Sequence, residues 1–130
     1  MFKGNNMNEE IILKSEDGVG IITLNRPERL NALTYNIVQK MNDFLDKCES
    51  DNDIKCVIIE GAGEKAFCAG GDVVSLRKQV LDEGGPPTEL SEKFFYDEYL
   101  LNYKINNFTK PYIALIDGVT MGGGVGVSMH

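Results

Sequence analysis

The chain has 130 residues, 42% hydrophobic and 25% charged, and a formal net charge of −7. That length is enough for one domain with a buried core, and the composition is that of an ordinary globular chain. The acidic balance, with no basic patch to neutralise phosphates, argues against nucleic acid as a partner. No apolar run approaches the ~18–20 residues that cross a bilayer, which argues against a membrane span.

Residues 1–10, "MFKGNNMNEE", read as an N-terminal extension. They show neither an apolar signal core nor the Arg/Ser-rich character of a transit peptide. Ile11, Ile12 and Leu13 open a short strand that "EDGVG" closes, and Asp17-Gly18 is a hairpin signal. Val19 to Leu24 is a second strand, rich in β-branched residues. "NRPERLNAL" then breaks the pattern, because Pro27 cannot donate to a ladder and pushes Arg26 to extended geometry. Thr34 is a fair N-cap for a helix whose Ile37, Met41, Phe44, Leu45 and Cys48 form one apolar stripe. Asp43, Asp46, Glu49, Asp51 and Asp53 read as its solvated face and exit.

Lys55 to Glu60 is a buried strand, followed by the loop "GAGEKAFCAGGD". Val73 to Leu81 is a helix with Asp72 at its start, and "DEGGPP" is a turn. Ser91 to Phe108 is a longer helix, and Tyr112 to Ile116 another buried strand. Gly118 begins a glycine-rich turn that leads into a further helix. Strands alternating with helices predict an α/β fold with parallel pairings. No sequence repeat is evident.

Cys48, Cys56 and Cys68 are odd in number and form no C-x-x-C pair, which argues against a zinc site and against a disulfide framework. A reducing compartment follows as the simplest setting. A Cys68 nucleophile would need a base. His130, the single histidine, reads as an ordinary helix residue and Cys68 as a packed loop residue.

Two turns have the same form: a strand leads to "CAGGD" and a helix, and another to "MGGGVG" and a helix. Glycine lets backbone approach a ligand closely, and N–H groups at a helix start are unpaired. Nucleotide motifs fail on inspection. Gly124 stands where a P-loop needs Lys, and Val127 where a G-x-G-x-x-G run needs its last glycine. Two N–H groups converging on one oxygen would instead form an oxyanion hole. A single glycine turn reads equally well as tight helix–strand packing. A second signal is Glu98, four residues after Phe94 and three before Leu101, which places a carboxylate on the apolar stripe Phe94, Leu101, Ile105 and Phe108. It reads either as an acid at the stripe's edge or as one aimed into a pocket.

"NRPERLNALT", "AFCAGGDV" and "KPYIALIDGVTMGGGVGVS" together resemble the crotonase (enoyl-CoA hydratase/isomerase) superfamily, from about residue 11 to the last. Within it, "FFYDEYLLNYKI" and "TMGGGVGVSMH" look most like the branch of thioester hydrolases of valine breakdown. The resemblance implies an α/β fold, the N-terminal part of a ββα superhelix, with mostly parallel strands and helices packed outside. Residues 11–130 would be the N-terminal portion of an acyl-CoA domain, ending before the segment that carries the family's catalytic glutamate and aspartate, so that this stretch alone is expected to be inactive. Gly71 and Gly123 match the two oxyanion-hole donors. Arg29, Leu30 and Ala69 match positions lining CoA, Asp72 is grouped with them as substrate-binding, and Glu98 matches a glutamate that contacts the acyl group. The partner implied is an acyl-CoA, with no separate cofactor or metal; the oligomeric state stays open, a homo-oligomer included. The compartment implied is the mitochondrial matrix in a eukaryote and the cytoplasm in a bacterium.

One departure bears on the reaction. Hydratases resemble "GGGxE" at the turn, and here Gly126 stands in the glutamate's place, which disfavours a simple hydratase. A hydratase or isomerase of the same fold, and a non-catalytic fragment that binds acyl-CoA or a partner chain, stay as alternatives.

Overall fold

The computed structural model describes residues 9–85 and 88–129. Strands β1 (Ile11–Glu16) and β2 (Val19–Leu24) form an antiparallel hairpin, turning at Asp17 and Gly18, both at positive φ. A one-turn 3-10 helix, Pro27–Arg29, precedes helix α1 (Tyr35–Ser50). Strand β3 (Cys56–Gly61), a short strand β4 (Ala66–Cys68), helix α2 (Val73–Asp82) and helix α3 (Glu89–Asn106) follow. Strands β5 (Tyr112–Leu115) and β6 (Val119–Thr120) and the single-turn helix α4 (Gly123–Gly126) complete the described chain.

The main sheet has the order β1-β2-β3-β5, with β2–β3 and β3–β5 parallel. The expected α/β class with mostly parallel strands is therefore what the chain adopts. Two strands followed by a helix recur three times: β1β2α1, β3β4α2 (with α3 added) and β5β6α4. The repeat is structural, and its one trace in the sequence is the pair of glycine turns after β4 and β6.

Two expectations are corrected: the strand read as buried over Tyr112–Ile116 ends at Leu115 and leaves Ile113, Leu115 and Ile116 exposed, and the loops hold two further strands. The segment read as one loop after β3 contains β4, and the one after β5 contains β6; these two pair in parallel as a separate small sheet. Each glycine turn thus leaves this second sheet and not the main one. Three and two residues are too few to show alternation, although Phe67, Val119 and Thr120 are themselves residues that favour strands.

α1 lies on the main sheet as its stripe requires. Ile37, Met41, Phe44, Leu45 and Cys48 are all buried, against Ile22, Leu24, Val57 and Ile59. The Thr34 hydroxyl caps the helix by accepting from the Ile37 N–H at 3.2 Å. The acidic residues on the far side behave as a solvated face with two ties: Lys104 pairs with Asp46 at 2.8 Å, and the Thr109 hydroxyl donates to Glu49 at 2.6 Å.

α3 begins two residues before its expected start. Thr88 caps it and Ser91 returns the bond, a reciprocal capping box. It then crosses α1, where the Tyr35 hydroxyl donates to Asp97 at 2.8 Å. That crossing buries Phe94, Glu98, Leu101 and Ile105 and turns the residue-98 side of α3 towards both glycine turns.

Candidate active site

The two glycine turns meet because β4 pairs with β6, Ala66 opposite Val119 and Cys68 opposite Thr120. The Met121 N–H donates to the Cys68 carbonyl at 3.1 Å. Gly70 at φ +104° and Gly122 at φ +51° take conformations that L side chains rarely adopt. Approach is equally restrictive: a Cβ on Gly70 would sit 3.0 Å from the Met121 carbonyl oxygen and 3.3 Å from the Gly123 nitrogen. A Cβ on Gly123 would sit 3.4 Å from the Gly71 nitrogen. The N–H groups of Gly71 and Gly123 are therefore neighbours, and neither has a hydrogen-bond partner among the described residues.

A second clamp holds the first turn from the other side. The segment 26–33 accepts the Ala69 N–H on the Leu30 carbonyl (2.9 Å) and the Asp72 N–H on the Leu33 carbonyl (2.8 Å), and gives the Leu33 N–H to the Gly70 carbonyl (2.8 Å). Asn31 organises this segment. It is fully buried at φ +54°, donates from Nδ2 to the carbonyls of Ala62 and Ala66, both at 2.9 Å, and accepts the Arg26 N–H. Arg26 contacts the Ala32 carbonyl at 2.8 Å and the Asp72 carboxylate at 2.9 Å.

Asp72 is thus committed locally. It caps α2 through the Ser75 N–H at 3.0 Å while paired with Arg26. Burial pushes its carboxyl up, but the bonds from the Ser75 N–H, Arg26 and the Ser75 hydroxyl outweigh this and hold it below the usual value. Leu30, left-handed and partly exposed, lies beside Ala69 at the outer edge of the turn, and Arg29 is exposed on the 3-10 helix.

Glu98 is 9% exposed and makes no hydrogen bond among the described residues. A Cβ on Gly123 would overlap its Oε1, so the carboxyl lies directly over the second glycine turn. Burial raises its pKa, since no charge or donor offsets desolvation. Gly71, Phe94, Glu98, Tyr99, Asn102 and Gly123 line one cleft of about 360 Å³. Its apolar ring carbons, two unpaired N–H groups and an unpaired carboxyl are the fittings of a site for a small ligand with an oxygen to be held. A hollow of about 400 Å³ next door, at Arg26, Tyr35, Asp72 and Leu90, has its charges already paired.

Cys68 belongs to β4 and is fully buried, and burial pushes its thiol up to about 11 despite a backbone bond from Gly70; it is no thiolate at neutral pH. His130, Pro86, Pro87 and most of the expected N-terminal extension lie outside the described residues. No group of metal-ligating side chains occurs among the described residues. Reading the sequence missed Arg26, Asn31 and Asn102. A polar residue beside an apolar one in a turn is a weak signal, and only the folded contacts reveal what each one holds.

The model of the enoyl-CoA hydratase/isomerase family matches residues 19–130. The mitochondrial 3-hydroxyisobutyryl-CoA hydrolase of Danio rerio is 48% identical over 121 residues, 93% of this chain and 31% of the relative. The human protein of the same name is 45% identical over 131 residues, all of this chain and 33% of the relative. The chain thus spans about a third of the length of the curated relatives it matches. A carnitinyl-CoA dehydratase from Mycobacterium thermoresistibile superposes with a TM-score of 0.85 at 42% identity, over 92% of this chain and 34% of that one. An enoyl-CoA hydratase from Rhodobacter sphaeroides does so at 0.85 and 35%, over 94% of this chain and 36% of that one. The fold is the crotonase fold, and the chain belongs to the enoyl-CoA hydratase/isomerase family.

Proposed function

We propose that this chain carries the carbonyl-binding part of an acyl-CoA thioester hydrolase, acting on 3-hydroxyisobutyryl-CoA in valine breakdown. One observation carries the reading. Two unpartnered N–H groups, on Gly71 and Gly123, lie side by side in the cleft that also holds the unbonded Glu98 carboxyl. The substrate thioester oxygen accepts from both. As a nucleophile, either water or a carboxylate whose acyl adduct water later hydrolyses, attacks the carbonyl carbon, that oxygen gains negative charge and the two bonds strengthen; one such donor is typically worth ~3–4 kcal/mol. The C–S bond then breaks, and CoA leaves as a thiol once it has taken up a proton. Glu98 accepts from the acyl hydroxyl and orients it. Arg29, Leu30, Ala69 and the Asp72 segment form the CoA-facing edge. Activation of the attacking group, by a carboxylate acting as nucleophile or general base, falls to residues beyond these 130, as the family resemblance implies. In a eukaryote the enzyme works in mitochondria, the location in its relatives' names.

The hydratase reading has the solved dehydratase and hydratase neighbours in its favour. Against it, Gly126 offers no side chain to act on water. The test offers the full-length protein 3-hydroxyisobutyryl-CoA and an enoyl-CoA. Free thiol from the first and unchanged enoyl absorbance with the second are expected. Loss of enoyl absorbance without thiol release would overturn the hydrolase reading.

A further inference from the structure

Asn102 lies on α3 one turn after Glu98, so both side chains leave the same face of the helix and both line the cleft. Its amide rests on the backbone of Gly126: a Cβ there would lie 2.8 Å from Nδ2, 2.8 Å from Oδ1 and 3.1 Å from Cγ. The amide therefore occupies the room that any side chain at 126 would need. Asn102 Oδ1 is buried without a partner, and Nδ2 makes no hydrogen bond among the described residues. The Nδ2 hydrogens, in a residue that lines the cleft, are thus uncommitted donors for a bound group. The Glu98 carboxylate on the same wall favours the amide orientation that turns the NH₂ towards the cleft.

We infer that Asn102 is a substrate-contacting residue that sets specificity for a hydroxylated acyl group. The wall presents an acceptor, Glu98, and a donor, the Asn102 NH₂, one helical turn apart. A hydroxyl is the small group that serves both at once, donating its hydrogen to the carboxylate and accepting from the amide. A plain alkyl group leaves both unpaired. A site built to bond a hydroxyl rejects the analogue that lacks it for this reason. The inference deepens the hydrolase reading and rests on it for the identity of the acyl chain.

The test compares 3-hydroxyisobutyryl-CoA with isobutyryl-CoA on the full-length protein and on its Asn102→Leu and Asn102→Asp variants. Affinity is read by calorimetry and kcat/KM by thiol release. The Asp variant keeps the shape while replacing the NH₂ by oxygen, so it decides the matter if the Leu variant does not fold. The preference for the hydroxylated ligand should fall about tenfold in either variant, a factor typical of one lost buried hydrogen bond. An unchanged ratio, whether both ligands weaken together or neither does, would overturn the role of Asn102. Absence of thiol release in the wild type would overturn the hydrolase reading instead, and the affinity ratio would still decide for Asn102.

Discussion

Replacing Gly123 by alanine adds one methyl group at the tightest point of the cleft. The new carbon overlaps Glu98 Oε1, lies 3.3 Å from Leu33 Cδ1 and 3.4 Å from the Gly71 nitrogen. Leu33 is fully buried and cannot retreat, so Glu98 must swing away or the α4 turn must shift. Overpacking of this kind costs about 1–3 kcal/mol. Gly71→Ala is the matched comparison. Its Cβ would meet only two Phe94 ring carbons, at 3.5 and 3.6 Å, which is ordinary contact. Neither glycine has a positive φ, so backbone strain enters neither substitution. Urea unfolding of the full-length protein should therefore show a loss of about 1–3 kcal/mol for Gly123→Ala. Gly71→Ala should stay within about 0.5 kcal/mol of the wild type. In Gly123→Ala the methyl also fills the gap between the two N–H groups, so thioester turnover should fall on the order of 10²-fold or more. Equal unfolding losses in the two variants, or full turnover in Gly123→Ala, would refute the packing and the proposed hole together.

Asn31→Ala should cost about 3 kcal/mol, because it strands the buried carbonyl of Ala66 and the partly buried one of Ala62 and puts alanine at positive φ; denaturant titration reads it. Asp72→Asn should destabilise at neutral pH by about 1 kcal/mol through the weakened cap and lost ion pair. Since the folded carboxyl titrates below its unfolded value of about 3.9, that difference is full above pH 4 and vanishes as pH falls through the folded value. Glu98→Gln has the opposite sign: burial raises its pKa, so the wild type loses stability as pH rises from the unfolded value through the folded one, and the variant should gain on it at pH 7 while losing activity on the hydroxylated thioester. In the native protein an alkylating reagent should modify half-buried Cys56 before Cys48 or Cys68; prompt labelling of Cys68 would contradict its burial. Residues 1–130 alone should self-associate on size-exclusion chromatography at micromolar concentration, because Ile113, Leu115, Ile116, Val119 and Met121 are 43–56% exposed in one run of chain.

Elements with enough residues to show a period were legible beforehand. The α1 stripe fell where helical spacing placed it, and strands β1, β2 and β3 where apolar and β-branched runs placed them, β3 one residue later than expected. The short strands β4 and β6 were not, because two or three residues hold no period and their pairing is set by long-range contacts. The odd placement of Glu98 was visible as a carboxylate on an apolar stripe. Its neighbour Asn102 was not, since an asparagine on a helix carries no such contrast, and what marks it is the missing side chain of Gly126. Arg26 and Asn31 sit in a segment whose backbone bonds depend on the turn at 69–72 arriving opposite them. Local sequence cannot announce that meeting.

The central claim is that the Gly71 and Gly123 N–H groups hold one carbonyl oxygen. Infrared spectroscopy of the full-length protein reads this directly, using a ketone analogue of the acyl-CoA with methylene in place of sulfur and ¹³C at the carbonyl. Two converging donors should lower the carbonyl stretch below its value in water. A stretch at or above the aqueous value in the bound complex would contradict the account.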